Sequence, residues 1–156
     1  MRRRLSRRLA AVAATTVVAA AGVMAAGGTA SAARDDSRGF IWNNETLTKG
    51  SGLKNDYVQL VMQDDGNLVT YTTDDNWAHR TPTWHTDTVG CGDRAMMQSD
   101  GNLVVYGQNN RVCWTSDTKR FRPGPDSPEL KLGVFADGTV KVFSEAPYFF
   151  PVWSNR

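Results

Sequence analysis

The stretch Gln63–Tyr71 reads Gln-Asp-Asp-Gly-Asn-Leu-Val-Thr-Tyr, and related stretches follow twice along the chain. Gln98–Tyr106 reads Gln-Ser-Asp-Gly-Asn-Leu-Val-Val-Tyr, 35 residues further on. Phe135–Phe143 reads Phe-Ala-Asp-Gly-Thr-Val-Lys-Val-Phe, another 37 residues later. Each stretch is followed by a tryptophan with small or polar neighbours: Trp84, Trp114 and Trp153. Short β-rich repeats that must bury their apolar faces against one another predict an all-β domain with a threefold arrangement.

The Asp-Gly pair inside each stretch predicts a β-hairpin. In a three-residue loop, Asp64–Gly66, the glycine adopts a left-handed conformation and Gln63 pairs with Asn67 on one face. A two-residue loop would send these two amides to opposite faces. Only the three-residue register collects the apolar side chains on one face, which we therefore assign to the core. This predicted core face consists of Leu60, Met62, Leu68, Thr70, Ala95, Met97, Leu103, Val105, Leu132, Val134, Val140 and Val142.

The opposite face repeats a set of five residues. The first repeat supplies Gln63, Asp65, Asn67, Val69 and Tyr71, and the second supplies Gln98, Asp100, Asn102, Val104 and Tyr106. Two amides, a carboxylate and a phenol around an apolar residue suit a polyhydroxylated ligand with one apolar face. The alternative is a pair of structural turns with ordinary solvent-facing polar residues. Repetition of all five residues favours a binding site.

The first 33 residues are predicted to be a signal peptide. Five arginines precede an apolar run, and small residues around Ala32 supply a cleavage site. A membrane anchor is the alternative, which the Ala, Thr and Gly content of the run disfavours. The pair Arg7 and Arg8 leaves twin-arginine export open. We expect a secreted, extracellular protein of bacterial type without membrane insertion, with one domain over residues 34–156 and repeats over about 40–88, 89–118 and 129–156.

Charge and cysteine content narrow the function further. Loss of the five leader arginines leaves 13 of the 18 basic residues against 16 acidic ones, so the net charge changes from +2 to −3. A mildly acidic domain without a basic stripe is not expected to bind nucleic acid. Cys91 and Cys113 are the only cysteines. An even count in an exported chain suggests one disulfide, which would contribute roughly 3 kcal/mol, whereas a thiol nucleophile lacks a motif partner.

No catalytic or metal site is predicted. A glycosidase requires two carboxylates that flank one bond, whereas Asp65 and Asp100 are equivalent positions of separate repeats. The segment Asp64–Asn67 lacks the series of ligands that a calcium loop needs. We therefore expect no enzymatic activity, no cofactor and no metal.

From about Phe40 to Arg156 the chain resembles the bulb-type, or monocot mannose-binding, lectins, whose sugar-site motif is Gln-x-Asp-x-Asn-x-Val-x-Tyr. Asn44–Leu47 with Gly50 resembles the first strand and turn of that family. The resemblance implies a β-prism II fold, with three four-stranded antiparallel sheets around a pseudo-threefold axis and the three repeated tryptophans near it. It also implies metal-independent recognition of terminal D-mannose or α-mannosides in mannose-containing glycans. In each site Asp and Asn would bond the axial 2-hydroxyl, Gln the 3-hydroxyl and Tyr the 4-hydroxyl, while Val would touch the ring carbons.

The third repeat departs from this motif. Its corresponding residues are Phe135, Asp137, Thr139, Lys141 and Phe143. Only the aspartate is kept, so we expect two functional sites per chain and a structural or retuned third face. An alternative function is that of a lectin-like bacteriocin or toxin, which would use the same fold to dock on a cell-surface glycan or receptor. The sequence leaves a homo-oligomer open.

Overall fold

The computed structural model describes residues 39–121, 130–144 and 149–156. Within these residues the chain forms twelve short strands and two 3₁₀ turns, Gln108–Asn110 and Thr118–Phe121. The strands are β1 (Phe40–Trp42), β2 (Thr46–Thr48), β3 (Gly52–Lys54), β4 (Val58–Met62), β5 (Leu68–Thr72), β6 (Thr81–His85), β7 (Arg94–Met97), β8 (Leu103–Tyr106), β9 (Val112–Thr115), β10 (Leu130–Val134), β11 (Val140–Ser144) and β12 (Phe150–Ser154). The predicted signal peptide, residues 1–33, lies outside the described residues.

The strands form three four-stranded antiparallel sheets, which confirms the predicted fold class. Each repeat contributes three consecutive strands to one sheet, and residues 40–54 supply the fourth strand of every sheet. β3 pairs with β4 of the first repeat, β2 with β7 of the second, and β1 with β10 of the third. The first segment therefore ties all three repeats together. The segment that resembled a first strand and turn, Asn44–Leu47 with Gly50, contains the start of β2, which is the second strand of the chain.

Each hairpin has the predicted three-residue loop. In the first repeat Gln63 and Asn67 close the loop, with the Gln63 N–H donating to the Asn67 carbonyl at 2.8 Å. The next pair outward is Met62 with Leu68. Gly66 has a φ of +95°, a left-handed conformation that glycine adopts without a steric penalty. The same closing bond joins Gln98 to Asn102 and Phe135 to Thr139 in the other repeats.

The core face predicted from the register is buried in full. Eleven of its twelve residues are 0% exposed, and Val134 is 8% exposed. Thr70, the one polar member, is also completely buried. A one-residue slip of any hairpin would turn this apolar set to solvent, so burial of the face specifies the register.

A bulge recurs in the last strand pair of each sheet. The pairing shifts by one residue directly before Tyr71, Tyr106 and Phe143. Just before each shift a core residue faces the repeated tryptophan: Thr70 with Trp84, Val105 with Trp114 and Val142 with Trp153. A bulge re-aims the side chains that follow it, so in each repeat it separates the inward tryptophan from the outward aromatic residue.

The three repeated tryptophans contact one another. Trp84, Trp114 and Trp153 form three edge-to-face pairs with ring centroids 5.5–5.8 Å apart. This geometry is the favourable one for aromatic pairs. One tryptophan from each sheet therefore meets the other two, as the resemblance implied.

Cys91 and Cys113 form the predicted disulfide, with their Cα atoms 6.0 Å apart. Cys91 precedes β7 and Cys113 lies in β9, so the disulfide links two segments of the second repeat. In the described part of the chain there is no helix of the length and apolarity that a membrane span requires.

Candidate functional site

The five predicted residues of the first repeat come together on the outer face of the sheet that contains β4 and β5. Gln63 follows β4, Tyr71 lies on β5, and the Gln63 Nε2 donates a hydrogen bond to the Tyr71 hydroxyl at 2.6 Å. Asp65 in the turn accepts from the Asn67 N–H at 2.9 Å through Oδ1. These bonds hold the amide, the phenol and the carboxylate in place before any ligand binds.

The side chain of Asn67 is held in place by the segment that follows β6. Its Oδ1 accepts hydrogen bonds from the Thr88 N–H at 3.1 Å and the Thr86 hydroxyl at 3.2 Å. Thr86 and Thr88 are buried, and their hydroxyls lie 2.7 Å apart. Since Oδ1 points inward to these donors, the Nδ2 group of Asn67 is the part of the amide that is directed away from them.

Several polar atoms of this site have no partner among the described residues. They are the second Asp65 carboxylate oxygen, the Asn67 Nδ2, and the Oε1 and one N–H of Gln63. The Tyr71 hydroxyl accepts from Gln63, which leaves its own hydrogen free to donate. The first site thus presents two acceptors and several donors in fixed positions, a pattern suited to sugar hydroxyls.

The second repeat reproduces this arrangement. Gln98 Nε2 donates to the Tyr106 hydroxyl at 2.6 Å, and Asp100 accepts from the Asn102 N–H at 3.1 Å. The Asn102 Oδ1 accepts from the Ser116 hydroxyl at 3.0 Å and the Thr118 N–H at 3.1 Å. All five predicted residues of each repeat are therefore brought together.

The two sites differ at one neighbouring position. In the second site the Asn102 Nδ2 donates to the Thr115 hydroxyl at 2.7 Å. The equivalent position of the first site is His85, because Val69 pairs with His85 and Val104 with Thr115. The His85 Nδ1 instead lies 3.0 Å from the Asp87 Oδ1. One hydrogen of the Asn102 amide is thus occupied, whereas the Asn67 amide has no such partner among the described residues.

The valine at the centre of each site is nearly covered. Val69 and Val104 are each 3% exposed. Little apolar area is left exposed at either valine, so hydrogen-bonding groups make up most of what each site offers.

The third repeat satisfies its own polar groups. Lys141 Nζ lies 2.6 Å from Asp137 Oδ2, and the Thr139 hydroxyl donates to the other carboxylate oxygen. The hydrogen bond from Lys141, with that from Thr139, lowers the pKa of Asp137 to about 2. Asp137, the one motif residue that this repeat keeps, is therefore already ion-paired with Lys141 and hydrogen bonded.

Aromatic rings occupy the remainder of the third face. Phe135 and Phe143 lie 5.1 Å apart, centroid to centroid, and both contact Phe149. Lys141 Nζ also lies 4.5 Å from the centre of the Phe135 ring. Phe135 and Phe143 replace the Gln-Tyr hydrogen bond of the other two repeats, so this face lacks their amide and phenol.

Four residues that orient the site asparagines were not predicted from the sequence: Thr86, Thr88, Ser116 and Thr118. A signal for them was present, because the segments after Trp84 and Trp114 share the pattern Thr/Ser-Asp-Thr. These hydroxyls also bond the backbone of the hairpin, as Thr86 does with the Leu68 N–H at 3.2 Å. In the third repeat Asn155 takes that backbone role, accepting from the Val140 N–H at 2.8 Å.

The described residues contain no group of three or more His, Cys, Asp or Glu side chains that could hold a metal ion. Each of the two sites consists of neutral amides, a phenol and one carboxylate. These groups can donate hydrogen bonds to hydroxyl groups and accept hydrogen bonds from them.

Comparison with models of known protein families and with curated proteins gives no significant match. Solved structures do match. A lectin from Allium sativum is 32% identical, with a TM-score of 0.56 over 71% of this chain and 98% of that one. The mannose-specific agglutinin from snowdrop (Galanthus nivalis) bulbs, solved with methyl-α-D-mannoside, is 30% identical, with a TM-score of 0.56 over 70% of this chain and 93% of that one. A third is one of the monomeric monocot mannose-binding lectins from Gastrodia elata, 26% identical, with a TM-score of 0.58 over 74% and 94%.

The chain belongs to the monocot mannose-binding lectin family. The three sheets are those of the β-prism II fold, as predicted. Within this lectin the first two repeats retain a complete set of site residues, and the third has an internally satisfied face.

Proposed function

We propose that this protein is a secreted lectin that binds terminal D-mannose or α-mannosides at two sites per chain, without metal and without catalysis. The observation that carries the proposal is the duplication of one hydrogen-bonded site. Gln63 to Tyr71 and Gln98 to Tyr106 have the same 2.6 Å bond, on two different sheets.

The free polar atoms support mannose in particular. At each site the Oδ1 of Asp65 or Asp100 accepts from the backbone N–H of Asn67 or Asn102, so the carboxylate and the asparagine lie in the same turn. An acceptor beside a donor can satisfy a single hydroxyl that both donates and accepts. The axial 2-hydroxyl, which distinguishes mannose from glucose, is the group that we assign to this pair.

The remaining contacts are assigned as the resemblance to the family implies. The amide of Gln63 or Gln98 is assigned to the 3-hydroxyl, and the phenol of Tyr71 or Tyr106 to the 4-hydroxyl. Because the central valine is nearly covered, each site gains little from apolar burial. We therefore expect weak binding to one sugar, and avidity gains of about 10²–10⁴ for branched mannans that engage several sites.

Secretion is supported by the leader pattern of residues 1–33 and by a disulfide within the domain. Disulfides persist in oxidising compartments and are rare in the cytosol. Metal-independent binding is supported by the donor set itself, in which every group can bond a hydroxyl directly.

Binding to immobilised mannan tests the proposal. We expect retention that survives a chelator and is displaced by methyl α-mannoside, while methyl α-glucoside and methyl α-galactoside do not compete. Loss of binding in chelator would contradict the metal-free site. Equal competition by glucoside would contradict the role given to the Asp-Asn pair.

A further inference from the structure

An arginine lies over the site tyrosine in both complete repeats. The Arg80 guanidinium carbon is 4.4 Å from the centre of the Tyr71 ring, and that of Arg94 is 4.9 Å from the centre of the Tyr106 ring. Each tyrosine also accepts the glutamine bond that defines its site. A full positive charge therefore lies at the rim of each sugar site, beside the phenol.

The two arginines reach this position from different elements. Arg94 begins β7 and is the direct cross-strand partner of Tyr106. The equivalent partner of Tyr71 is Gln59 on β4. Arg80 precedes β6, donates to the Gln59 Oε1 at 3.5 Å, and places its charge over Tyr71. At the first site, where the cross-strand partner is neutral, a neighbouring loop thus supplies the positive charge. The recurrence of this charge from two different elements argues against a chance surface arginine.

Both charges are available to a ligand. Among the described residues neither guanidinium forms an ion pair with a carboxylate; their polar partners are the neutral side chains of Gln59 and Asn110. The third repeat differs, because its equivalent residue, Lys131, is 5% exposed and lies 3.7 Å from the centre of the Trp42 ring. An accessible cation beside the site aromatic residue is therefore found at the two complete sites, whereas the corresponding lysine of the third repeat is buried.

We propose that both sites accept a mannose that carries an oxyanion, a phosphate or a carboxylate, with Arg80 or Arg94 binding the anionic group. This inference rests on the proposed mannose binding. Guanidinium presents a planar fork of N–H donors that matches phosphate and carboxylate oxygens, and such charge-assisted bonds are about twice as strong as neutral ones. Since the chain without its leader has a net charge of −3, a preference for anionic sugars must come from these local groups.

Calorimetric titration of the protein with methyl α-mannoside, mannose 6-phosphate and mannuronate tests the inference. We expect at least one of the two anionic sugars to bind about tenfold more tightly than the neutral mannoside at low salt. The difference should shrink as ionic strength rises, because exposed charges are screened. The anionic sugar that binds more tightly than the neutral mannoside shows whether the site prefers a phosphate or a carboxylate. Glucose 6-phosphate, which has the phosphate without the axial 2-hydroxyl, should bind far more weakly than mannose 6-phosphate.

Variants locate the effect. The double variant Arg80→Gln with Arg94→Gln should lose the preference for the anionic sugar. The double variant Arg80→Lys with Arg94→Lys should keep part of it, because lysine retains the charge without the fork. The matched control is Arg156→Gln, which removes a guanidinium beside Gly138 in the third sheet and should retain the preference.

The outcomes separate the two proposals. If neutral and anionic mannose bind equally, or if the glutamine double variant keeps the preference, the anionic subsite is wrong while mannose binding stands. If no mannose derivative binds, the proposed function fails and this inference fails with it.

Discussion

The Lys141 ammonium and the Asp137 carboxylate lie 2.6 Å apart in the third repeat, at the positions where the other two repeats have a valine and an aspartate with one unbonded carboxylate oxygen. The ammonium group thus occupies the acceptor that a sugar hydroxyl would need. A ligand at this face would have to separate the pair and would still find Phe135 and Phe143 in place of the amide and the phenol.

Two mannosides should bind per chain. Asp65→Asn and Asp100→Asn should each remove one site, and the double variant should not bind. Hydrogen bonds to a charged group contribute about 1.5–3 kcal/mol, so each loss should exceed tenfold. Asparagine can still accept the backbone bond of the turn, which keeps the hairpin intact. NMR titration with a monomeric mannoside measures the stoichiometry, and Asp137→Asn is the matched control that should retain both sites. Binding by the double variant, with shifts near Asp137, would overturn this assignment.

Acid should remove a small part of the stability through Asp137. Its pKa in the folded protein is about 2, below the ordinary value of 3.8, so its contribution is complete above about pH 4. The contribution should be lost as the pH falls from about 4 to about 2. Because the carboxylate is 53% exposed, we expect less than about 1 kcal/mol. Urea unfolding at pH 5 and pH 2.5 should show a smaller pH effect in Asp137→Asn than in the unchanged protein. An identical pH effect in both would contradict the ion pair.

The first site should bind a mannoside more tightly than the second. The Asn102 amide donates to Thr115 and must give up that bond to offer both hydrogens, whereas the Asn67 amide has no equivalent partner among the described residues. One neutral hydrogen bond is worth about 1 kcal/mol, so we expect a difference of roughly fivefold. Thr115→Val should reduce the difference in affinity between the two sites. The control is Thr83→Val in β6, which should leave that difference unchanged. Site-resolved NMR titration measures both affinities, and a tighter second site in the unchanged protein would count against the explanation.

Trp114 should contribute more to stability than Trp42. Trp114 contacts Trp84 and Trp153 where the three sheets meet, while Trp42 is 40% exposed on an outer face. Replacing a packed tryptophan by alanine costs about 3–5 kcal/mol, and partial exposure places Trp114→Ala at the lower end. Trp42→Ala should cost about 1 kcal/mol. Denaturant unfolding followed by circular dichroism compares the two variants. Equal losses would mean that the tryptophan cluster adds little to the association of the sheets.

Much of the fold was accessible from the repeats. The Asp-Gly pair and the alternation of residues predicted a three-residue loop, and only one register hides Leu60, Met62 and Leu68 together. Burial of this apolar set therefore specifies a single hairpin register, because a shift by one residue exposes the whole set. Eight of the ten site residues were predicted from the same register, since period-two alternation places the second face as soon as the first is assigned, and the two aspartates were predicted from their position in the turn.

The amino-acid sequence by itself therefore determined the hairpins, their core face, the side on which Gln63, Asn67 and Tyr71 meet, and the loss of the repeated motif in the third repeat. Tertiary structure decided which sheet each opening strand joins, because antiparallel edges accept any strand of suitable length and nothing local in residues 40–54 names a partner. It also decided what surrounds the sites. The threonines that hold Asn67, the hydroxyl of Thr115 and the guanidinium of Arg80 lie 13–21 residues from their partners in sequence, and only folding brings their dipoles and charges within bonding distance.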